Sequence, residues 1–179
     1  NLTAVIIGNG LDEACKKLIS RGADKVMVVD DESLNHYNDE SYTDIFVQLI
    51  NENKPEIILM GATTYGRSLA PRIASRINTG LTADCTKLEI DPLDGKLLQT
   101  RPAFGGNLMA TIICPNHRPQ MATVRHKVMQ ELEPDDTRTG EIIRPEVIIP
   151  KNLKIKVKDV VSTVCEMVPL SEADIIVSG

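Results

Sequence analysis

The sequence predicts an α/β fold, a doubly wound and mostly parallel sheet with helices on both faces and antiparallel additions in its second half. Three observations predict it. Short apolar runs alternate with segments whose apolar residues recur at helical spacing. The connections between them are short, which calls for repeated β-α-β units and right-handed crossovers. After residue 85 the helical spacing gives way to strand-length runs punctuated by turn residues.

The elements follow in order. Leu2–Gly8 (LTAVIIG) reads as a strand, and Leu11–Arg21 as a helix with Leu11, Ala14, Cys15, Leu18 and Ile19 on one face and Gly22 as its stop. Lys25–Asp30 (KVMVVD) is the second strand. A polar loop through His36 and Asn38 leads to a helix over Tyr42–Glu52, which buries Ile45, Phe46, Leu49 and Ile50 and cannot continue past Pro55. Glu56–Met60 (EIILM) reads as a strand buried on both faces, ending at Gly61. Ala62–Gly66 is a permissive loop, and Arg67–Ile77 a helix with Leu69, Ala70, Ile73, Ala74 and Ile77 on one face. Cys85–Asp91 and Lys96–Phe104 are expected to pair as antiparallel strands about the turn Pro92-Leu93-Asp94-Gly95. Leu108–Cys114, closed by Pro115, and Gln120–Arg125 are two more strands. Strands added in this way commonly finish a doubly wound sheet with antiparallel edges.

The tail differs. Residues 130–152 carry Pro134, Pro145 and Pro150 among acids that include Glu131, Glu133, Asp135 and Asp136, so a linker or surface arm is expected. Leu153–Val160 (LKIKVKDV) alternates strictly and is expected to be a half-exposed strand blunted by lysine. Ala173–Gly179 reads as a further apolar strand. The organisation expected is an α/β domain over 1–129, a Pro-rich acidic arm over 130–152, and an added strand with the start of another domain over 153–179.

Composition excludes several functions. The 179 residues are 42% hydrophobic and 25% charged, an ordinary globular balance long enough for one good core. A net charge of −5 without a basic cluster argues against nucleic acid, as does the want of an aromatic stacking platform among three Tyr, two Phe and no Trp. No apolar run approaches the ~20 residues of a membrane span, and no basic-then-apolar leader opens the chain. A cytoplasmic protein is expected if bacterial, a mitochondrial matrix protein if eukaryotic. Cys15, Cys85, Cys114 and Cys165 are scattered and read as small buried apolar residues. His36, His117 and His126 match no zinc or triad pattern and read as surface residues.

The stretch from Gly61 to Arg125 holds far more glycine, threonine and arginine than a core needs. Strand, permissive loop and helix put the Gly61–Gly66 loop where α/β sheets bind ligands, outside the carboxyl ends of strands and against a helix N-terminus suited to an anion. Thr63, Thr64 and Ser68 explain themselves equally well as turn and cap residues. The loop is neither of the Walker A nor of the GxGxxG type.

The segments GATTYGRSLAPRIASRINTGLTADCT (61–86), RPAFGGN (101–107) and RPQMATVR (118–125), followed closely by Met129, stand in an order and spacing that resemble the alpha subunit of electron-transfer flavoproteins. The resemblance runs from Leu2 to Gly179. It implies an adenine-nucleotide-hydrolase-like fold, a heterodimer with a beta subunit, and transfer of electrons from dehydrogenases, as in fatty acid oxidation, to a downstream acceptor through FAD. It also implies one strand and one helix ahead of Asn1, and beyond Gly179 a domain that holds the FAD, so this chain alone is expected to carry no tightly bound flavin. No catalytic site and no metal site are expected on it.

The resemblance further implies that in electron-bifurcating members the arginine of the TVR motif, here Arg125, approaches a flavin held mainly by the beta subunit. In the other members that subunit binds AMP and this domain is a scaffold. Arg125, Arg101, Asn107 and Thr82 are the candidate residues of that flavin crevice; Arg67 flanks the Gly61 loop, and Thr79–Asp84 either forms part of the crevice or only caps and redirects the chain. A charged hydrogen bond contributes about 1.5–3 kcal/mol. With about 59 mV per ~1.4 kcal/mol for a one-electron couple, one guanidinium at the flavin edge moves its potential by something on the order of 100 mV. Two other readings stay open: a stand-alone adenine-nucleotide-binding module, against which the Gly61 loop lacks a phosphate-clamping Lys, and a purely structural interaction domain.

Overall fold

The computed structural model describes residues 1–161 together with Ile175 and Val177. Thr3–Gly8 (β1), Asp12–Ser20 (α1), Lys25–Asp30 (β2), Asp39–Asn53 (α2), Ile57–Gly61 (β3) and Thr64–Arg76 (α3) alternate as the apolar spacing predicts. Leu81–Cys85 (β4), Lys87–Ile90 (β5), Leu97–Ala103 (β6), Leu108–Ile112 (β7), Gln120–Val124 (β8) and Glu141–Ile143 (β9) follow.

Among the described residues the strands form three ladders. One is parallel in the order β1-β2-β9, one parallel in the order β3-β8-β4, and one antiparallel in the order β5-β6-β7. The strand period of two sorts the first ladder's side chains by face. Ala4, Ile6, Val26 and Val28 pack with Cys15, Leu18 and Ile19 of α1. Val5, Ile7 and Val29 pack with Ile45 and Leu49 of α2 on the opposite face. Helices therefore cover both faces, the doubly wound arrangement. In the second ladder Ile58, Met60 and Met121 meet Leu69, Ile73 and Ala74 of α3. Its other face, through Ile57, Cys85 and Ala122, meets Leu88 and Leu97 of the antiparallel sheet. Helix α2 bridges the two parallel ladders, giving Ile45 and Leu49 to one core and Ile50 to the other.

Several expectations change. The antiparallel strands build a sheet of their own against the second ladder rather than lengthening its edge: the run read as Cys85–Asp91 divides at Thr86, Cys85 ending β4 just after a β-bulge where Asp84 has φ 62°, and Lys87 beginning β5. Strand β4 lies largely in the segment Thr79–Asp84, for which a crevice or redirecting role rather than a strand is expected. Strand β3 is half-buried rather than covered on both faces, with Leu59 45% exposed, since it is the outer strand of its ladder. Helices α2 and α3 each begin three residues early, capped by Asn38 and Thr63.

The arm is structured. Strand β9 adds to the edge of β2, Val147 and Ile149 pack on the α2 core, and Gln48 and Ile148 exchange two hydrogen bonds at 2.8 and 2.9 Å. Leu153–Val160 forms no strand and lies almost wholly exposed. Alternation alone does not pair it, although β1 and β3 each lie at the end of a ladder. The strand expected over Ala173–Gly179 lies, apart from exposed Ile175 and Val177, outside the described residues, as does Cys165.

Candidate functional site

The carboxyl ends of β3, β8 and β4 form one edge, and α3 starts there. Strand β3 ends at Gly61, Thr63 caps α3 by accepting a hydrogen bond from Gly66 N–H at 3.1 Å, and the first helical turn presses on the strand end. A Cβ on Gly66 would lie 1.9 Å from the Gly61 carbonyl oxygen, so the approach admits only a hydrogen at that position. Thr63 and Ser68 serve as structural hydrogen-bond partners, Ser68 Oγ donating to Asp39 of α2 at 2.8 Å.

Tight docking of α3 sets Arg67 at the edge. Its Nε donates to the Ala62 carbonyl at 2.9 Å and its Nη2 meets Asp84 Oδ1 at 3.3 Å. Arg125 follows directly on β8. Its backbone N–H donates to Cys85 O at 2.9 Å, and its Nε and Nη2 donate to Asp84 Oδ2 at 3.2 and 2.6 Å. One carboxylate thus joins two guanidiniums, each of its oxygens taken by a different arginine. The hydrogen bond from Arg125 holds the Asp84 carboxyl below its ordinary range against the opposing effect of partial burial, and the charges of Arg125, Arg67 and Arg101 act in the same direction as that bond. Two guanidiniums against one carboxylate leave about one net positive charge beside a helix N-terminus, a surface able to stabilise an anion.

The structure thus brings Arg125, Arg101 and Arg67 into one electrostatic neighbourhood around Asp84. Arg101 lies inside β6, two residues short of its end, paired across the ladder with Ala110. Asn107 is exposed beside the β6–β7 turn, where Gly105 and Gly106 have φ 69° and 93°. Thr82 is buried in β4, 6% exposed, away from the open edge. Asp84 itself was only the end of a loop in the sequence, four residues after Gly80.

A second feature escaped sequence reasoning. All three tyrosines gather where α2 and α3 begin: Tyr37 and Tyr65 lie with ring centroids 4.4 Å apart, Tyr37 and Tyr42 4.8 Å apart and edge-on. Tyr37 hydroxyl donates to Asp39, burial and that carboxylate raising its pKa. Scattered in sequence, these residues form an aromatic cluster with Tyr65 59% exposed, so the expected want of any aromatic platform is corrected.

The remaining candidates behave as bland residues. His36, His117 and His126 are exposed, and burial raises the Cys15 and Cys85 thiols. Cys114 is only half-buried. Among the described residues no His, Cys, Asp and Glu group could hold a metal, and no helix is long and apolar enough to cross a membrane.

Comparison with known proteins adds to this geometry. The family described as electron transfer flavoprotein domain matches residues 1–150. The chain is 54% identical over its full length to a protein named electron transfer flavoprotein subunit alpha from Thermoanaerobacterium thermosaccharolyticum, covering 54% of that relative. It is 48% identical to protein FixB of Clostridium saccharobutylicum, over 99% of this chain and 53% of that one. Against a protein of Anaerotignum propionicum named acryloyl-CoA reductase electron transfer subunit beta it is 41% identical, over 99% and 55%. The chain spans about half the length of the curated relatives it matches.

Proposed function

The chain belongs to the electron transfer flavoprotein family, and from that premise we propose that it is the leading α/β domain of an alpha subunit. In this reading the subunit pairs with a beta subunit and passes electrons from dehydrogenases to a downstream acceptor through FAD, in the cytoplasm of a bacterium. The domain itself makes and breaks no bonds. Its part is to assemble with the partner and to shape one wall of a flavin crevice.

The observation that carries the reading is the arginine pair at the carboxyl edge of β3, β8 and β4. A flavin supplies reversible one- and two-electron redox chemistry when bound, and its reduced form carries negative charge. The residues present fit that group: Arg125 and Arg67 offer guanidinium N–H donors with one surplus positive charge, and the α3 N-terminus adds to it. Arg125 is assigned the flavin's charged edge. Arg101 and Asn107 flank it on the antiparallel sheet, and Thr82 supports β4 from within. Nucleotide binding by this chain alone is the weaker reading, since Thr63 already takes the Gly66 N–H and no Lys follows in the loop.

The test is a redox titration of the full-length alpha subunit assembled with its beta subunit and FAD, native and Arg125→Ala. A flavin whose midpoint falls in the variant, by an amount on the order of 100 mV, supports the reading. Assembly with flavin midpoints indifferent to Arg125→Ala would leave the domain a scaffold.

A further inference from the structure

Asp84 has a conformation and a set of partners that strand continuity does not call for. It is a non-glycine residue at φ 62°, which for an L-residue is costly and is tolerated best by Asp and Asn. It sits at the register shift between Thr82 and Cys85, within β4, where that strand pairs with β8. Its backbone N–H is held by Thr123 Oγ1 of β8 at 2.8 Å, so the left-handed turn is clamped to the neighbouring strand. The result is that the carboxylate points along the edge into both arginines. Its side chain is 24% exposed, against 47% for Arg125 and 62% for Arg67, so the negative charge lies inside and the positive charges outside.

We propose that Asp84 is the positioning residue of this edge: it fixes Arg125 and Arg67 in place and, as their common counter-ion, cancels one of their two charges, setting the potential of the flavin they face. The assignment rests on the reading of this edge as the flavin-facing one. The physical consequence has a definite sign. A carboxylate behind the guanidiniums disfavours negative charge on the flavin, so it lowers the midpoint below what an unopposed arginine pair would give. Arg125 keeps its backbone tie to Cys85 O without Asp84, so replacing the carboxylate removes its charge and frees the guanidinium while the backbone of Arg125 stays at the edge.

The experiment is a redox titration of the full-length alpha–beta complex with FAD, comparing the native protein with Asp84→Asn, Asp84→Glu and Arg125→Ala. Asp84→Asn is expected to raise the same midpoint that Arg125→Ala lowers, by about tenfold in the reduced-to-oxidised ratio at fixed potential, which is ~59 mV for a one-electron couple. Asp84→Glu, which keeps the charge, should stay within about threefold of native. Should Asp84→Asn fail to fold, Arg67→Gln at an exposed position takes its place; it removes one positive charge and is expected to lower the midpoint. In the flavin-free alpha subunit, the Arg125 Nε–H resonance should be protected from exchange in the native protein and lose that protection in Asp84→Asn. A midpoint that moves with Arg125→Ala but stays or falls with Asp84→Asn overturns the counter-ion role of Asp84, unchanged Nε–H protection overturns its positioning role, and either leaves the flavin-facing reading standing. Midpoints unmoved by every variant overturn that reading, and the inference with it.

Discussion

Single residues decide this edge by what they leave out as much as by what they bring. Gly66 has an ordinary helical backbone, and its value lies in having no side chain where the Gly61 carbonyl approaches. Gly66→Ala is therefore expected to cost about 3 kcal/mol or more in chemical denaturation. Gly61→Ala, whose Cβ would find only Thr63 Cγ2 at 3.6 Å, serves as the mild control. Equal losses in the two variants would mean that the approach relaxes freely. At this scale the sequence was only half legible. Arg125 stood out through its motif and its place at the end of an apolar run, and it directly follows β8. Asp84 did not stand out, because nothing local announces a carboxylate whose partners lie 17 and 41 residues away. The tyrosine cluster was hidden in the same way, its members being brought together by the packing of α2 on α3.

Helices and parallel strands were read well because their apolar periodicity is long enough to outvote local exceptions. The failures concentrate where a strand is short or bent. Strand β4 is interrupted by its bulge, and β9 is three residues set among prolines and charges, identifiable only by the free edge of β2. The converse error, Leu153–Val160, shows that alternation marks a candidate strand but does not by itself pair it with a sheet. The starts of α2 and α3 were misplaced inward, since capping residues are polar and lie before the apolar stripe. Asn38 is the clearest such cap, its Oδ1 accepting from Glu40 N–H and Ser41 N–H at 2.9 and 3.3 Å while its Nδ2 donates to Ile155 O at 2.8 Å. Asn38→Ala is expected to destabilise the chain by about 1 kcal/mol through the lost cap, and Asn38→Ser by clearly less. Matching losses in both would assign the effect to the contact with Ile155 instead.

At the scale of the whole molecule, two parallel ladders share α2, and the arm of residues 130–155 returns across the first of them to tie Glu131 to Arg21, Arg138 to Asp24, Arg144 to Asp12 and Ile148 to Gln48. These pairs are individually weak, being exposed, and the arm holds by their number together with Val147 and Ile149. Gln48→Ala removes both hydrogen bonds to Ile148, so trypsin cleavage after Lys151 should quicken by roughly tenfold while the core transition hardly moves. Unchanged cleavage would place the arm's stability in its other contacts, β9, the ion pairs and the packing of Val147 and Ile149. The same return of the chain bears on how the protein is born. The outer edge of β2 is closed by a strand synthesised about 110 residues later, an interval of roughly 5 to 20 s at ~5–20 residues per second. For that interval a Val-rich strand presents an open ladder to every neighbouring nascent chain, so the arm's last task in assembly is to retire the most adhesive surface that its own ribosome has exposed.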